Sequence, residues 1–356
     1  MKAPTTTIKG RGAADNPGVR FEAFTREREI LDPFLEEPSR PARTVITLQL
    51  AKSIISRNTS PDVPFSQSIN PYQGCEHGCV YCYARPSHAY LGLSPGLDFE
   101  TRIFGKQNAA ALLRKELSHP GYQCELIALG ANTDPYQPAE RVHRITRGIL
   151  EVLAEFRHPV GIVTKSSLVE RDMDILMAMA RDRLVHVFVS VTSLDPILSG
   201  KLEPRAVAPY RRIETIKRLA DAGIPCGVLM APVIPFINDS DVEPVLEVAA
   251  EAGASMAGYV ILRLPHEVKT LFRDWLARHY PMRADRVMAR IHDLRDGRDN
   301  DPAFVSRMKG TGEFAALIRR RFELACARLQ LDRGERFKLD TSLFRVAEQP
   351  RQLGLF

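Results

Sequence analysis

The sequence predicts an α/β fold: an incomplete six-unit (β/α) TIM-like barrel, with an irregular arm before it and a helical extension after it. Three observations carry this expectation. Six short apolar, β-branched runs lie between residues 66 and 265, stretches of helical spacing separate them, and beyond 265 only helical spacing remains. Near-continuous apolar runs alternating with helices describe a parallel sheet covered on both faces.

The elements follow in order. Residues 1–65 read as the arm, with turn-forming GRGAADNPG near its start. Within it, 44–55 reads as a strand or short helix against the main body. The six runs are 66–71, 124–131, 160–165, 185–193, 226–234 and 256–264, with helical patterns such as 139–156 and 209–222 between them. In barrels of this kind the chemistry sits at the C-terminal ends of the strands, so the residues after each run are the candidates. Past 265, the spacing of Val268, Leu271, Phe272, Trp275 and Leu276, and of Phe314, Leu317, Ile318, Phe322, Ala325 and Leu329, predicts helices over 266–345. Residues 346–356 read as a tail with an apolar tip.

Composition sets the class. Hydrophobic residues at 44% and charged residues at 26% suit a globular enzyme. The net charge of +6 suits an anionic partner such as nucleic acid without requiring one. Part of the excess is local: 267–340 holds 17 Lys/Arg against 12 Asp/Glu. The N-terminus lacks an apolar signal core and no run approaches the roughly 18 apolar residues of a membrane span, so a cytoplasmic protein is expected. Six cysteines are too few for a disulfide scaffold in a chain of 356 residues.

Three of those cysteines, Cys75, Cys79 and Cys82, crowd into eight residues directly after the first run. Their thiolates can wrap one metal–sulfur group, with Gly74 and Gly78 permitting the tight backbone. Three cysteines on a four-iron cubane leave one iron open to a substrate or cofactor. Zinc is the alternative, with His77 or His88 as fourth ligand, although its usual pattern is paired C-x2-C. Cys124, Cys226 and Cys326 form no second motif and read as small buried hydrophobes.

C-x3-C-x-aromatic-C, with Tyr81 as the aromatic residue, resembles the signature of the radical S-adenosylmethionine superfamily. The resemblance implies a 4Fe–4S cluster on the three cysteines and S-adenosylmethionine chelating the open iron. It also implies an external electron donor, reductive cleavage of the sulfonium and hydrogen abstraction by the resulting 5′-deoxyadenosyl radical. The barrel then positions the cofactors and excludes water.

The resemblance assigns roles to the other strand ends, and each assignment has a structural alternative. Thr133, Asp134 and Glu140 are candidates for the methionine ammonium; alternatively, Asp134 before Pro135 forms an Asx-type turn. Lys165 is a candidate for a carboxylate or phosphate, or else a rim lysine. Ser190 and Thr192 share one strand face and either hold the cofactor or bond within the barrel. Arg205 either clamps a carboxylate or pairs with Glu203. The backbone near Pro235 is a candidate cradle for adenine, with Asn238 there or capping a helix. Arg263 is a further candidate at the mouth.

Leu202–Arg205 (LEPR), Thr133–Glu140 (TDPYQPAE) and the Cys82–Tyr83 pair resemble the spore photoproduct lyase-like, DNA repair photolyase-like branch, over about 66–265. Its GRGAADNP arm is similar too. By that resemblance Tyr83 relays a hydrogen atom, or alternatively packs over the cluster. The branch's hydrogen-donor cysteine falls at Ala131 or Asn132 here, so thymine-dimer repair does not follow. The end of the chain, Gln352, Leu353, Gly354, Leu355 and Phe356, resembles the peptide that docks bacterial repair proteins on the sliding clamp; alternatively it docks on the chain's own barrel. The leading expectation is a radical enzyme acting on DNA. The competing ones are a non-catalytic Fe–S or zinc protein recruited to DNA, and a radical enzyme modifying RNA or protein.

Overall fold

The computed structural model describes residues 8–21, 43–332 and 338–346. The clamp-like peptide lies outside them. In chain order the first elements are β1 (Val45–Gln49), β2 (Ile55–Arg57), β3 (Gln67–Ile69), β4 (Tyr72–Gln73), α1 (Leu97–Thr101), β5 (Arg102–Lys106) and α2 (Ala109–Leu117). Then come β6 (Ile127–Leu129), α3 (Glu140–His143), α4 (Ile145–Glu155), β7 (Val160–Thr164), α5 (Met173–Arg181) and β8 (Val185–Ser190). They are followed by α6 (Pro196–Leu202), α7 (Pro209–Asp221), β9 (Cys226–Val233), α8 (Val242–Glu251) and β10 (Met256–Ile261). The last are α9 (Val268–His279), α10 (Ala284–Asp293), α11 (Ser306–Lys309) and α12 (Gly312–Leu329).

The main sheet runs β10-β9-β8-β7-β6-β3-β2. Its six strands from β3 to β10 are parallel and stand in chain order, and β2 adds an antiparallel edge. All six expected runs therefore form the strands of one parallel α/β sheet. Strand residues such as Ile127, Ile162, Val187 and Val228 are fully buried beneath Leu150, Leu176, Ile216 and Leu246 of the covering helices.

Three features refine the sequence reading. The 44–55 segment takes the strand alternative: β1 pairs with β5 in a separate three-stranded sheet with β4, and Ile55 begins β2 of the main sheet. Neither β4 nor β5 carries its own apolar pattern; they are strands because they pair. The 139–156 helix breaks at Arg144, whose φ of 50° is left-handed, so α3 and α4 are separate turns of chain. The C-terminal extension also reaches inward: Trp275, Phe272 and Val268 of α9 share a buried cluster with Val80, Tyr81 and Leu202. Among the described residues no helix is long and apolar enough to cross a membrane.

Burial lowers the pKa of His158 and of His186 from the usual 6.5 to about 4. His158 lies between Pro159 O at 2.9 Å and the Tyr122 hydroxyl at 2.7 Å, at the end of the sheet opposite the cysteines. The folded state takes up these protons less readily than the unfolded one. Stability is therefore full above about pH 6.5 and falls as pH drops toward 4. Thermal melts across that window are expected to show a falling Tm, and His158→Gln to shallow the slope.

Candidate functional site

The three cysteines lie on the loop between β4 and the 3-10 turn Arg85–Leu91, at the C-terminal mouth of the sheet. Gly74 and Gly78 have φ of 81° and 68°. A Cβ on Gly74 would meet Phe99 O at 2.9 Å and one on Gly78 would meet Glu100 Oε2 at 2.8 Å, so only glycine fits either turn. Gln137 clamps the loop's start, donating to Gly74 O (3.1 Å) and accepting from Glu76 N (3.0 Å).

Arg85 holds the other half from below. It is fully buried and donates to Cys79 O (2.8 Å), Gly78 O (3.1 Å), Pro95 O (3.0 Å) and Gly96 O (3.0 Å). Its charge is met by the equally buried Glu100 at 2.5 Å. Glu100 in turn accepts from Gly12 N (3.1 Å) and Ala13 N (2.9 Å), so the GRGA segment is strapped under the cysteine loop. Gly12 presses so close to Gly78 O that a Cβ there would lie 1.9 Å from it.

The thiols are close enough to feel one another. Burial, then Asp134 and Cys79, pushes Cys75 up; burial, then Glu203, pushes Cys79 up to about 12. Burial also raises Cys82, against the opposing pull of the Arg85 charge. Lys165 lowers both Cys79 and Cys82. None of the three is in a disulfide. Among the described residues no three His, Cys, Asp or Glu side chains gather as ligands of one metal ion. His77 Nδ1 faces Asp134 at 3.3 Å and His88 Nε2 faces Arg102 O at 3.0 Å. Three soft donors on one tight loop, each penalised as a bare thiolate, fit a metal–sulfur group whose positive charge reverses that penalty.

Beside the thiols lies a buried network. Glu203 accepts from the Tyr81 hydroxyl and from Thr192 Oγ1 (3.0 Å), and pairs with Arg212 at 2.5 Å and Lys165 at 3.7 Å. Burial alone would raise the Glu203 pKa, but Arg212 and Lys165 hold it down to about 2. Lys165 Nζ also donates to Ser190 Oγ at 2.6 Å. Tyr81, Lys165, Ser190, Thr192 and Glu203 thus form one group next to Cys79.

The other candidates divide. Asp134 is committed within the protein, accepting from Thr164 Oγ1 (2.7 Å), Lys165 N (2.7 Å) and Tyr136 N (2.8 Å), which is the Asx-turn alternative. Thr133 Oγ1 donates to Tyr72 O at 2.9 Å. Glu140 does not join the site. Its carboxylate caps α4 through Thr146 N (3.0 Å), and binds Arg171 (2.8 Å) and the Tyr72 hydroxyl (2.5 Å). Arg205 is half-exposed and reaches Glu76 at 3.3 Å, rather than Glu203. Asn238 staples the loop after β9, bonding Thr192 O, Pro232 O and Ile234 N, and caps no helix. Tyr83 donates to Ala131 O beyond β6, and its ring lies 5.4 Å beneath the Arg263 guanidinium, just beyond β10. The loop after the first parallel strand therefore touches the residues after both the second and the last, so the mouth is curled. Cys124 and Cys226 lie at or before the N-terminal ends of β6 and β9, away from the mouth, and Cys326 is buried in α12.

Sequence reasoning missed Arg85, Glu100, Gln137 and Arg212. Each reads as an ordinary surface residue by type; Gln137 lies within the TDPYQPAE segment, and the other three carry no local motif.

Comparison with known proteins agrees with this geometry. The chain is 39% identical to the uncharacterized protein Rv2578c of Mycobacterium tuberculosis over 235 residues, 65% of this chain and 69% of that one. It is 26% identical to the uncharacterized protein MJ0683 of Methanocaldococcus jannaschii over 213 residues, 60% and 76% of the two chains. A mutant spore photoproduct lyase holding a dinucleoside spore photoproduct has the same fold at a TM-score of 0.56, with 15% identity over 80% of this chain and 79% of that one. A second mutant, with AdoMet and the dinucleoside bound, matches at 0.50 with 17% identity over 72% of each chain. The family model described as Radical SAM superfamily matches residues 69–249, which span all three cysteines and the strands from β4 to β9, and the chain belongs to that superfamily.

Proposed function

We propose that this chain is a radical enzyme acting on DNA, with a 4Fe–4S cluster on Cys75, Cys79 and Cys82 and S-adenosylmethionine as its second cofactor. The observation that carries the reading is the set of three free thiols on one tight loop, braced from below by Arg85 and Glu100, at the C-terminal mouth of six parallel strands. When bound, the cluster and S-adenosylmethionine supply a 5′-deoxyadenosyl radical by one-electron cleavage of the sulfonium.

The chain's own residues do the rest. Gly74 and Gly78 let the loop curl, while Arg85 and Gln137 fix its carbonyls and amides so that the thiol positions are set before loading. Lys165, held by Ser190 and offset by Glu203, presents an ammonium beside Cys79 that suits the cofactor carboxylate. Tyr81 and Thr192 tie Glu203 to the loop and keep that corner dry. Val80, Leu262 and Trp275 close the apolar back of the site against water.

DNA as substrate is supported by the basic extension and by the fold shared with a lyase whose structures hold a dinucleoside. Thymine-dimer repair by a returning cysteine is not supported, because Ala131 and Asn132 stand where the thiol is needed and Cys124 is at the other end of its strand.

The test is product analysis after anaerobic reconstitution. Under dithionite the protein is expected to form 5′-deoxyadenosine, faster with damaged DNA than with undamaged DNA or none. A colourless protein that forms none would sink the reading. Equal rates in all three arms would remove DNA as substrate.

A further inference from the structure

One cation at the mouth is left out of the networks described above. Arg263 stands two residues past β10, over the Tyr83 ring at 5.4 Å. Its NH1 meets the Met308 thioether at 3.5 Å, and its Nε is buried without a hydrogen-bond partner. A guanidinium has five donors and a thioether is a weak acceptor. Among the described residues Arg263 forms no ion pair with a carboxylate.

Its basic neighbours are committed. Arg307 is held by Asp62 and, at 2.6 Å, by Ser60 Oγ. Arg295 is spent on the carbonyls of Ile261 (3.2 Å), Leu262 (2.6 Å) and Ser306 (2.7 Å). Lys165 is held by Ser190 and Glu203. Burial and then Arg307 lower the Arg263 pKa, and Tyr83 and Asp62, the latter already held by Arg307, offset this only in part. A half-buried cation whose nearest carboxylate is shared with Arg307 is costly, and an arriving anion in direct contact lowers that cost.

The placement decides what kind of anion fits. Arg263 is not beside Cys79, where Lys165 already serves. It lies across the Tyr83 ring, on the rim between the last strand and the cysteine loop. Tyr83 is 45% exposed, with its hydroxyl bonded to Ala131 O, so part of the ring is open to solvent at that point. A base stacking against an aromatic ring with a cation gripping the adjoining phosphate is a common way to hold a single strand.

We infer that Arg263 binds a backbone phosphate oxygen of the substrate strand, with Tyr83 beside it as the platform for the adjoining nucleotide. This rests on the DNA reading above and names the subsite through which that substrate is gripped.

The test is binding of a labelled single-stranded oligonucleotide, titrated with salt, to reconstituted wild type, Arg263→Gln and Arg263→Lys. Binding of S-adenosylmethionine is measured in parallel. Arg263→Gln is expected to bind the oligonucleotide roughly tenfold more weakly, with a salt slope smaller by about one. Arg263→Lys keeps the charge, so it is expected to keep the wild-type slope and lose only a few fold in affinity. A Gln variant that matches wild type in affinity and slope would overturn the inference. So would a Lys variant that loses the slope unit. A loss confined to S-adenosylmethionine binding would also overturn it, by assigning Arg263 to the cofactor's carboxylate. If wild type binds no oligonucleotide at all, the DNA reading itself falls.

Discussion

Replacing Cys75, Cys79 or Cys82 singly with alanine is expected to give a folded chain that cannot hold a complete cluster. Formation of 5′-deoxyadenosine should drop by more than the roughly 10–100-fold that loss of an outer-shell partner costs a metal site. The thiols contribute little to the fold in their own right. They lie on a loop whose backbone is fixed by Arg85, Gln137 and Phe99 O, not by the sulfurs. Far-UV circular dichroism should therefore be unchanged while iron content and the brown absorbance collapse. Cys226→Ala is the contrasting variant. That cysteine is buried at the start of β9, so the substitution should lower stability and leave iron content alone.

The second large effect is expected at Arg85. Arg85→Met removes a guanidinium with no exposed surface and leaves Glu100 buried and charged, facing two arm amides and the less direct charge of Arg11. Breaking a buried pair from one side costs about 3–5 kcal/mol. Urea unfolding of the apo-protein should show a loss of that order, together with fast release of iron to a chelator. The double variant Arg85→Met with Glu100→Met should be less destabilised than Arg85→Met alone, because it leaves no orphaned charge. Equal or greater loss in the double variant would show that the carbonyl contacts of Arg85, rather than its charge partner, carry the stability.

These two predictions mark the limit of what the sequence makes legible. The cysteines stand out because their chemistry is local: three thiols within eight residues, with glycines where the loop must turn. The six parallel strands are legible for the same reason, since each is an apolar run between helical patterns. Arg85 and Glu100 are not, because their meaning depends on chain that is far away in sequence. Glu100 is explained by Gly12, 88 residues earlier, and Tyr81 by Glu203, 122 residues later. The 139–156 stretch shows the converse. Its helical spacing is real, but Glu140 bends back to cap α4, so a carboxylate that suits the mouth by type serves a helix end instead.

The strap under the cysteine loop also orders events in time. Gly12 and Ala13 leave the ribosome long before Glu100, so their seat does not exist until 88 further residues have been made. Closing a loop of that length carries an entropic cost that is met only once Arg85 and Glu100 are paired. The GRGA segment can therefore dock only after its seat, at residues 85–100, has been made. The loop bearing the three thiols, residues 75–82, is thus synthesised before the seat of its cover is complete.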